Sequence, residues 1–299
     1  RVTGMSNISR LTSLAAAGAG SETEQYVAIA CSGTVTDLRN SLVVIPWSKS
    51  GGFGDYSVIP ASSTAPPNRP TTYTQAKFSK DGGAIVFTHF DAPMLSAYAF
   101  ANGAIGAKYS NPSAATGGSA TGVGFSNSGN FVTMGTNSGS TNLYTYKWTD
   151  ASGFGTKYQN NLLGGTEPKH VEWSPTDNWI GTLSNRAKAV KWTGSGYGTD
   201  DSTFLNATQY RTHWNNAGDH VLMAGSSGTT TSRLMIWTWS DSTGYVAAVS
   251  PALSYNTLRD AKWTHDDTAI VFTYSAPPYL RAFAWDNSTS TLGSELSGT

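Results

Sequence analysis

A chain of 299 residues with nineteen basic and nineteen acidic side chains, and so a formal net charge of zero, has no field to attract nucleic acid or an anionic membrane. Only 13% of residues are charged, 12% are aromatic, and Gly, Ser and Thr are abundant, which is a composition of strands and turns with hydroxyl-rich surfaces. The single cysteine, Cys31, excludes an internal disulfide and a thiolate zinc cage, and no run approaches the ~18 apolar residues of a membrane span.

In chain order, "LTSLAAAGAG" (11 to 20) lacks a basic leader and is read as a strand or loop, with the inner strand of a first unit within 8 to 16. "YVAIAC" (26 to 31), "LVVIPW" (42 to 47) and "GGFGDY" (51 to 56) come next as two strands and a glycine step. From residue 73 the unit recurs in full. An aromatic residue and a polar turn open it at "FSKDGGAIVF", "FSNSGNFVTM", "WSPTDNWIGTL", "WNNAGDHVLM" and "WTHDDTAIVF". The opening aromatics Phe78, Phe125, Trp173, Trp214 and Trp263 are 47, 48, 41 and 49 residues apart. Turn residues between two apolar runs predict a hairpin. An alternating third strand then ends on Trp47, Phe100, Trp148, Trp192, Trp239 or Trp285. A glycine-aromatic-glycine step such as "GFGTKY" (153 to 158) leads to a short fourth strand, with Ile105 and Tyr245 standing in for the aromatic.

Four strands per unit and six closing aromatics predict an all-β fold, a six-bladed β-propeller of four-stranded antiparallel blades. It is expected to occupy 1–299 as one domain, with blades at roughly 8–60, 73–113, 120–163, 168–205, 209–252 and 258–299. The glycines of the step, Gly155 among them, are expected to supply positive φ. Phe154 is expected to cover the blade end, and the opening aromatics to wedge between blades. Blades five and six are expected to lack the second glycine.

The unit from 125 to 160 resembles the WD40-like repeats of tailed-bacteriophage structural proteins, in which an aromatic-Ser turn, a Tyr-x-Trp strand end and a Gly-Phe-Gly step recur. The resemblance covers about 225 residues from Thr74 onward and, weakly, the first 60. It implies a non-enzymatic virion structural protein, a capsid decoration or a tail or fibre component acting through protein-protein contacts. Its partners would be other virion proteins in multiple copies, and its location the particle surface or tail, or extracellular outside a virus. A lectin-like receptor- or glycan-binding propeller is the alternative. Trp285-Asp286 is the only Trp-Asp pair and no Gly-His occurs, so eukaryotic WD40 scaffolds are the weaker likeness.

Three positions before the opening aromatics stand Gln75, Gly122, His170, Arg211 and Asp260, and one position before stand Lys77, Gly124, Glu172, His213 and Lys262. Gln75, His170, Arg211 and Asp260 are expected to line a solvated channel, because they come from different blades without a shared spacing. No catalytic, cofactor-binding or metal residue is assigned, and no cofactor. Only His213 and His220 stand at ligand spacing, and no carboxylate or thiol accompanies them in sequence. Asp-box turns and a G-x-S-x-G elbow are absent. For a glycan, Tyr56, Tyr109 and Tyr158 are the stacking candidates, against the reading that Tyr109 and Tyr158 pack on the outer strand.

Overall fold

The computed structural model describes residues 11–15, 25–30, 42–48, 52–55, 57–58, 73–90, 92–115, 118–137, 142–160, 168, 170–183, 187–203, 208–227, 231–249, 258–274 and 280–296. Among these the regular structure is entirely β. The chain divides into two compact units, Arg1–Asn161 and Leu162–Thr299.

The first unit contains three antiparallel sheets. One joins β1 (Leu11–Ala15), β2 (Gln25–Ala30) and β3 (Leu42–Ser48), with β4 (Gly52–Phe53) and β5 (Ser57–Val58) both paired to β3. The next is the meander β6 (Tyr73–Phe78), β7 (Ala84–His89), β8 (Leu95–Ala101) and β9 (Ala104–Lys108). The third is β10 (Ala120–Phe125), β11 (Phe131–Thr136), β12 (Leu143–Thr149) and β13 (Gly153–Asn160).

The second unit repeats the meander three times. Its sheets are β14 (His170–Trp173) to β15 (Trp179–Leu183), β16 (Ala187–Trp192) and β17 (Tyr197–Thr203); β18 (Thr208–Trp214) to β19 (His220–Ser227), β20 (Thr231–Ser240) and β21 (Gly244–Val249); and β22 (Leu258–Trp263) to β23 (Ala269–Tyr274), β24 (Leu280–Asp286) and β25 (Thr291–Leu296).

The first hairpin of each sheet after β5 has one recipe. The residue after the opening aromatic turns its side chain back to cap the second strand: Ser79 accepts from the amide of Ala84 at 3.0 Å, Ser126 from Phe131 at 3.0 Å, Ser174 from Trp179 at 3.1 Å, Asn215 from His220 at 2.9 Å and Thr264 from Ala269 at 3.0 Å. The fourth residue after the aromatic, Gly82, Gly129, Asp177, Gly218 or Asp267, takes positive φ. That demand explains why Gly and Asp occupy the position.

The turn between third and fourth strands corrects the expectation for Gly155. Positive φ falls on Gly103, Gly153, Gly194, Gly244 and Ser290, ahead of the step residue. The second glycine serves close approach instead. Third strands bulge at Ala99, Lys147, Lys191 and Ala284, and a Cβ at the facing Gly106, Gly155, Gly198 or Gly293 would stand 3.2–3.4 Å from the Cβ of those residues. Gly293 also corrects the expectation for blade six, which keeps the second glycine and loses the first. The step residue is always the cross-strand partner of the closing aromatic: Phe53 with Trp47, Ile105 with Phe100, Phe154 with Trp148, Tyr197 with Trp192, Tyr245 with Trp239 and Leu292 with Trp285.

The opening aromatics pack first against the closing aromatic of their own sheet. Ring centroids lie 5.1 Å apart for Phe78 and Phe100, 5.7 Å for Phe125 and Trp148, 5.6 Å for Trp173 and Trp192, 5.3 Å for Trp214 and Trp239, and 5.0 Å for Trp263 and Trp285. Phe125 is half-buried and the others are buried. Trp214 also lies over Gly181 of the preceding sheet, where any side chain would strike its ring.

At three junctions between neighbouring sheets a clamp sits two residues beyond the closing tryptophan. The indole N–H of Trp148 donates to Asp150 at 2.6 Å, that of Trp239 to Asp241 at 3.1 Å and that of Trp285 to Asn287 at 3.2 Å. Each acceptor then reaches the first turn of the preceding sheet. Asp150 accepts from Ser79 at 3.0 Å, Asp241 from Asn178 at 2.9 Å, and Asn287 from Asn215 at 3.2 Å.

Candidate functional site

The site lies in the second unit, on its three first strands β14, β18 and β22. Alternation places residues two apart on one strand face. The pairs three and one positions before the opening aromatic, His170 with Glu172, Arg211 with His213, and Asp260 with Lys262, therefore share a face. Bulges between Gln209 and Arg211 and between Leu258 and Asp260 precede two of these pairs and re-aim their side chains.

His213 is the hub. Its Nδ1 is 2.6 Å from Glu172 Oε2, and its Nε2 is 3.2 Å from Asp260 Oδ1. Arg211 Nε lies 3.5 Å from Asp260 Oδ2, and His170 Nε2 is 3.9 Å from Glu172 Oε2. The rings of His170 and His213 meet edge-on at 4.9 Å. His170, Arg211 and His213 are buried, whereas the side chains of Glu172 and Asp260 keep 18% and 30% of their surface exposed. The carboxylates thus form the solvent edge of a group in which Arg211 and the two imidazoles lie beneath.

Both ring nitrogens of His213 face oxygens that only accept, so the imidazolium suits this setting by donating twice. Burial works against that charge. Glu172 and Asp260 outweigh it and raise the pKa of His213 above its ordinary value. For Asp260, burial favours the neutral acid, but the bond to His213 and the nearby Arg211 guanidinium hold its pKa below the usual value.

Three of the four residues expected to line a channel meet in this group. His170, Arg211 and Asp260 converge, and Glu172 and His213 complete the group. Gln75 belongs to the first unit, where its Oε1 accepts the amide N–H of Val123 at 2.8 Å and links β6 to β10. The pairing of His213 with His220 does not form. His220 faces another sheet junction, with Nδ1 2.7 Å from Asp219 and Nε2 2.8 Å from Ser290. A carboxylate does accompany His213, from the neighbouring strand. Among the described residues His170, Glu172 and His213 are the one group of three whose ligand atoms, all within 4.8 Å of one another, could hold a metal ion.

Of the stacking candidates, Tyr109 is engaged at a sheet junction. Its hydroxyl donates to the Asp150 carbonyl at 2.6 Å and its ring packs on Trp148 at 5.2 Å. Tyr158 is half-buried on β13, and Tyr56 lies outside the described residues.

No family model matches the chain, and no curated protein matches it in sequence. Solved structures match it in fold. A candidate 6-phosphogluconolactonase of Bacteroides fragilis superposes with a TM-score of 0.68 at 12% identity, over 93% of this chain and 81% of that one. The periplasmic gluconolactonase of Pseudomonas aeruginosa gives 0.63 at 12%, over 92% and 81%. A β-propeller domain from Myceliophteria thermophila gives 0.53 at 13%, over 74% and 70%. The chain folds as a β-propeller. The WD40-like part of the sequence resemblance agrees with this fold, since the last of these neighbours and a mitotic checkpoint complex are similar to it. The expectation of a non-enzymatic virion component is corrected: neighbours over nearly the whole chain are named as lactonases, and nothing in these likenesses connects the propeller to phage particles.

Proposed function

We propose that this propeller is a hydrolase acting on sugar lactones through the group on β14, β18 and β22. The observation that carries the reading is His213, buried and bonded at both nitrogens to carboxylates from the two strands beside its own. Such a group costs desolvation that an apolar packing would avoid, and perturbed ionisable side chains gather where chemistry is done. The lactonase names of the structural neighbours supply the substrate class.

Asp260, the most exposed of the carboxylates, is placed to take a proton from water attacking the lactone carbonyl. A bond forms from water oxygen to the acyl carbon, the acyl C–O bond of the ring breaks, and the proton passes to the departing ring oxygen, which leaves as a hydroxyl. Arg211 and His213, beneath the carboxylates, supply positive charge as the oxyanion develops. Glu172 fixes the His213 ring. From the sequence repeat we further infer that 1–299 is one propeller of six blades. The activity is tested by offering a panel of aldonic acid δ- and γ-lactones, with and without a phosphate, and following acid release by pH-stat. Rates no faster than spontaneous hydrolysis across the panel would defeat the reading.

A further inference from the structure

We propose that His170 Nε2, Glu172 Oε2 and His213 Nδ1 form a binding site for one divalent transition-metal ion of the zinc class. This goes beyond the lactone reading and stands whether or not a lactone is the substrate; with the ion bound, His213 is a neutral ligand and the positive charge assigned above to its imidazolium comes from the ion. Ligand atoms of the three residues lie within 4.8 Å of one another, with His213 Nδ1 at 2.6 Å and His170 Nε2 at 3.9 Å from Glu172 Oε2, so side-chain adjustment brings them around one ion at bonding distances of about 2.0–2.2 Å. Two imidazoles and one carboxylate suit zinc, cobalt or nickel, whereas calcium and magnesium demand oxygen ligands. Both histidines are buried and Glu172 is partly exposed, so the side from which a fourth ligand would reach the ion is that of Glu172. Three protein ligands with one open position is the arrangement of a catalytic zinc.

The surroundings fit as well. A metal-bound histidine is ordinarily oriented by an acceptor on its other nitrogen. Asp260 stands 3.2 Å from His213 Nε2 in that role, and Arg211 Nε lies 3.5 Å from Asp260 in turn. A purely structural role for His170 has a precedent in Gln75, which ties the next strand by accepting an amide N–H at 2.8 Å. The corresponding contact, from Thr212 N–H to His170 Nδ1, is longer, at 3.5 Å. Ligation through Nε2 leaves the ring proton on Nδ1, so that contact opens when the ion binds.

The precedent also supplies the test. His170→Gln reproduces the side chain that performs the strand link in the first unit, and it removes a ligand without burdening the fold. The full, tag-free chain, stripped with chelator and dialysed, is titrated with Zn(II) by calorimetry and with Co(II) by visible absorption. One ion per chain is expected, with the intense visible bands of tetrahedral cobalt. Affinity should fall at least ~10-fold in His170→Gln and in Glu172→Gln, and roughly 10- to 100-fold in Asp260→Asn, which perturbs only the outer shell. Thermal unfolding of metal-free His170→Gln should match that of the stripped parent. Absence of saturable binding in the parent, or affinity unchanged in both His170→Gln and Glu172→Gln, would overturn the site; should His170→Gln unfold, Glu172→Gln decides.

Discussion

Nδ1 of His213 lies 2.6 Å from Oε2 of Glu172, a bond that joins the first strands of two neighbouring sheets beneath the solvent edge. Burial alone would lower the pKa of His213, but Glu172 and Asp260 raise it above the ordinary histidine value. A group whose folded pKa is raised stabilises fully below its unfolded pKa, and that stabilisation is lost as pH climbs through the folded value. In chelator-treated buffer between about pH 6 and 9, the thermal midpoint of the parent should therefore decline more steeply than that of His213→Gln. Parallel declines would show that the ring carries no extra proton. Asp260 works in the opposite direction, its depressed pKa contributing stability that is lost in acid.

The clamp beyond the closing aromatic predicts a contrast between two aspartates. Asp241 accepts from Trp239 and from Asn178 of the preceding sheet, and Thr176 also donates to it. Asp241→Ala should cost about 1–3 kcal/mol, most of it from the buried indole N–H left without an acceptor. The side chain of Asp286, directly after Trp285, bonds among the described residues within its own turn, to Ser288 and Thr289. Asp286→Ala should shift the melting temperature far less. Equal shifts, read by calorimetry, would mean that the clamp does not couple the sheets.

Glycine 153 and glycine 155 should separate in the same way. Gly153 has a φ of 76°, and a Cβ there would stand 2.9 Å from the Tyr109 ring. Gly153→Ala should cost at least about 1–3 kcal/mol from backbone strain alone. Gly155→Ala meets the Lys147 Cβ at 3.3 Å and its carbonyl oxygen at 3.7 Å, and should be milder. If chemical denaturation ranks the two in reverse order, the assignment of the turn is wrong.

Phe154 packs edge-on against Trp148 at 5.0 Å and Tyr146 at 5.7 Å, but it is half-buried. Phe154→Ala should cost about 1–3 kcal/mol, below the range for a fully buried ring. It should leave lactone hydrolysis unchanged. A loss of activity with stability intact would place the residue in recognition instead.

The sheets are legible in the sequence because each strand carries its own signal: the aromatic-Ser turn, the alternating third strand and the glycine step are all local. The clamp is not, since Trp239 and Asp241 are two residues apart and the informative pattern is Trp-x-Asp/Asn, which a search for Trp-Asp dipeptides passes over. The site is hidden for a different reason. His170, Glu172, Arg211, His213 and Asp260 look ordinary strand by strand, and only strands lying side by side join their charges. One signal is available, because the face that bears Gly122 and Gly124 on β10 bears ionisable pairs on three consecutive first strands of the second unit.

Hydrolysis of a sugar δ-lactone by the parent, Asp260→Asn and Arg211→Met tests the enzymatic reading most directly. The folded state of each protein is verified by thermal unfolding before the pH-stat assay. The parent should release acid well above the spontaneous rate, Asp260→Asn should lose roughly 10²- to 10⁴-fold in kcat/KM, and Arg211→Met should lose at least about 10-fold. A parent no faster than buffer, or an Asp260→Asn protein as active as the parent, would contradict it.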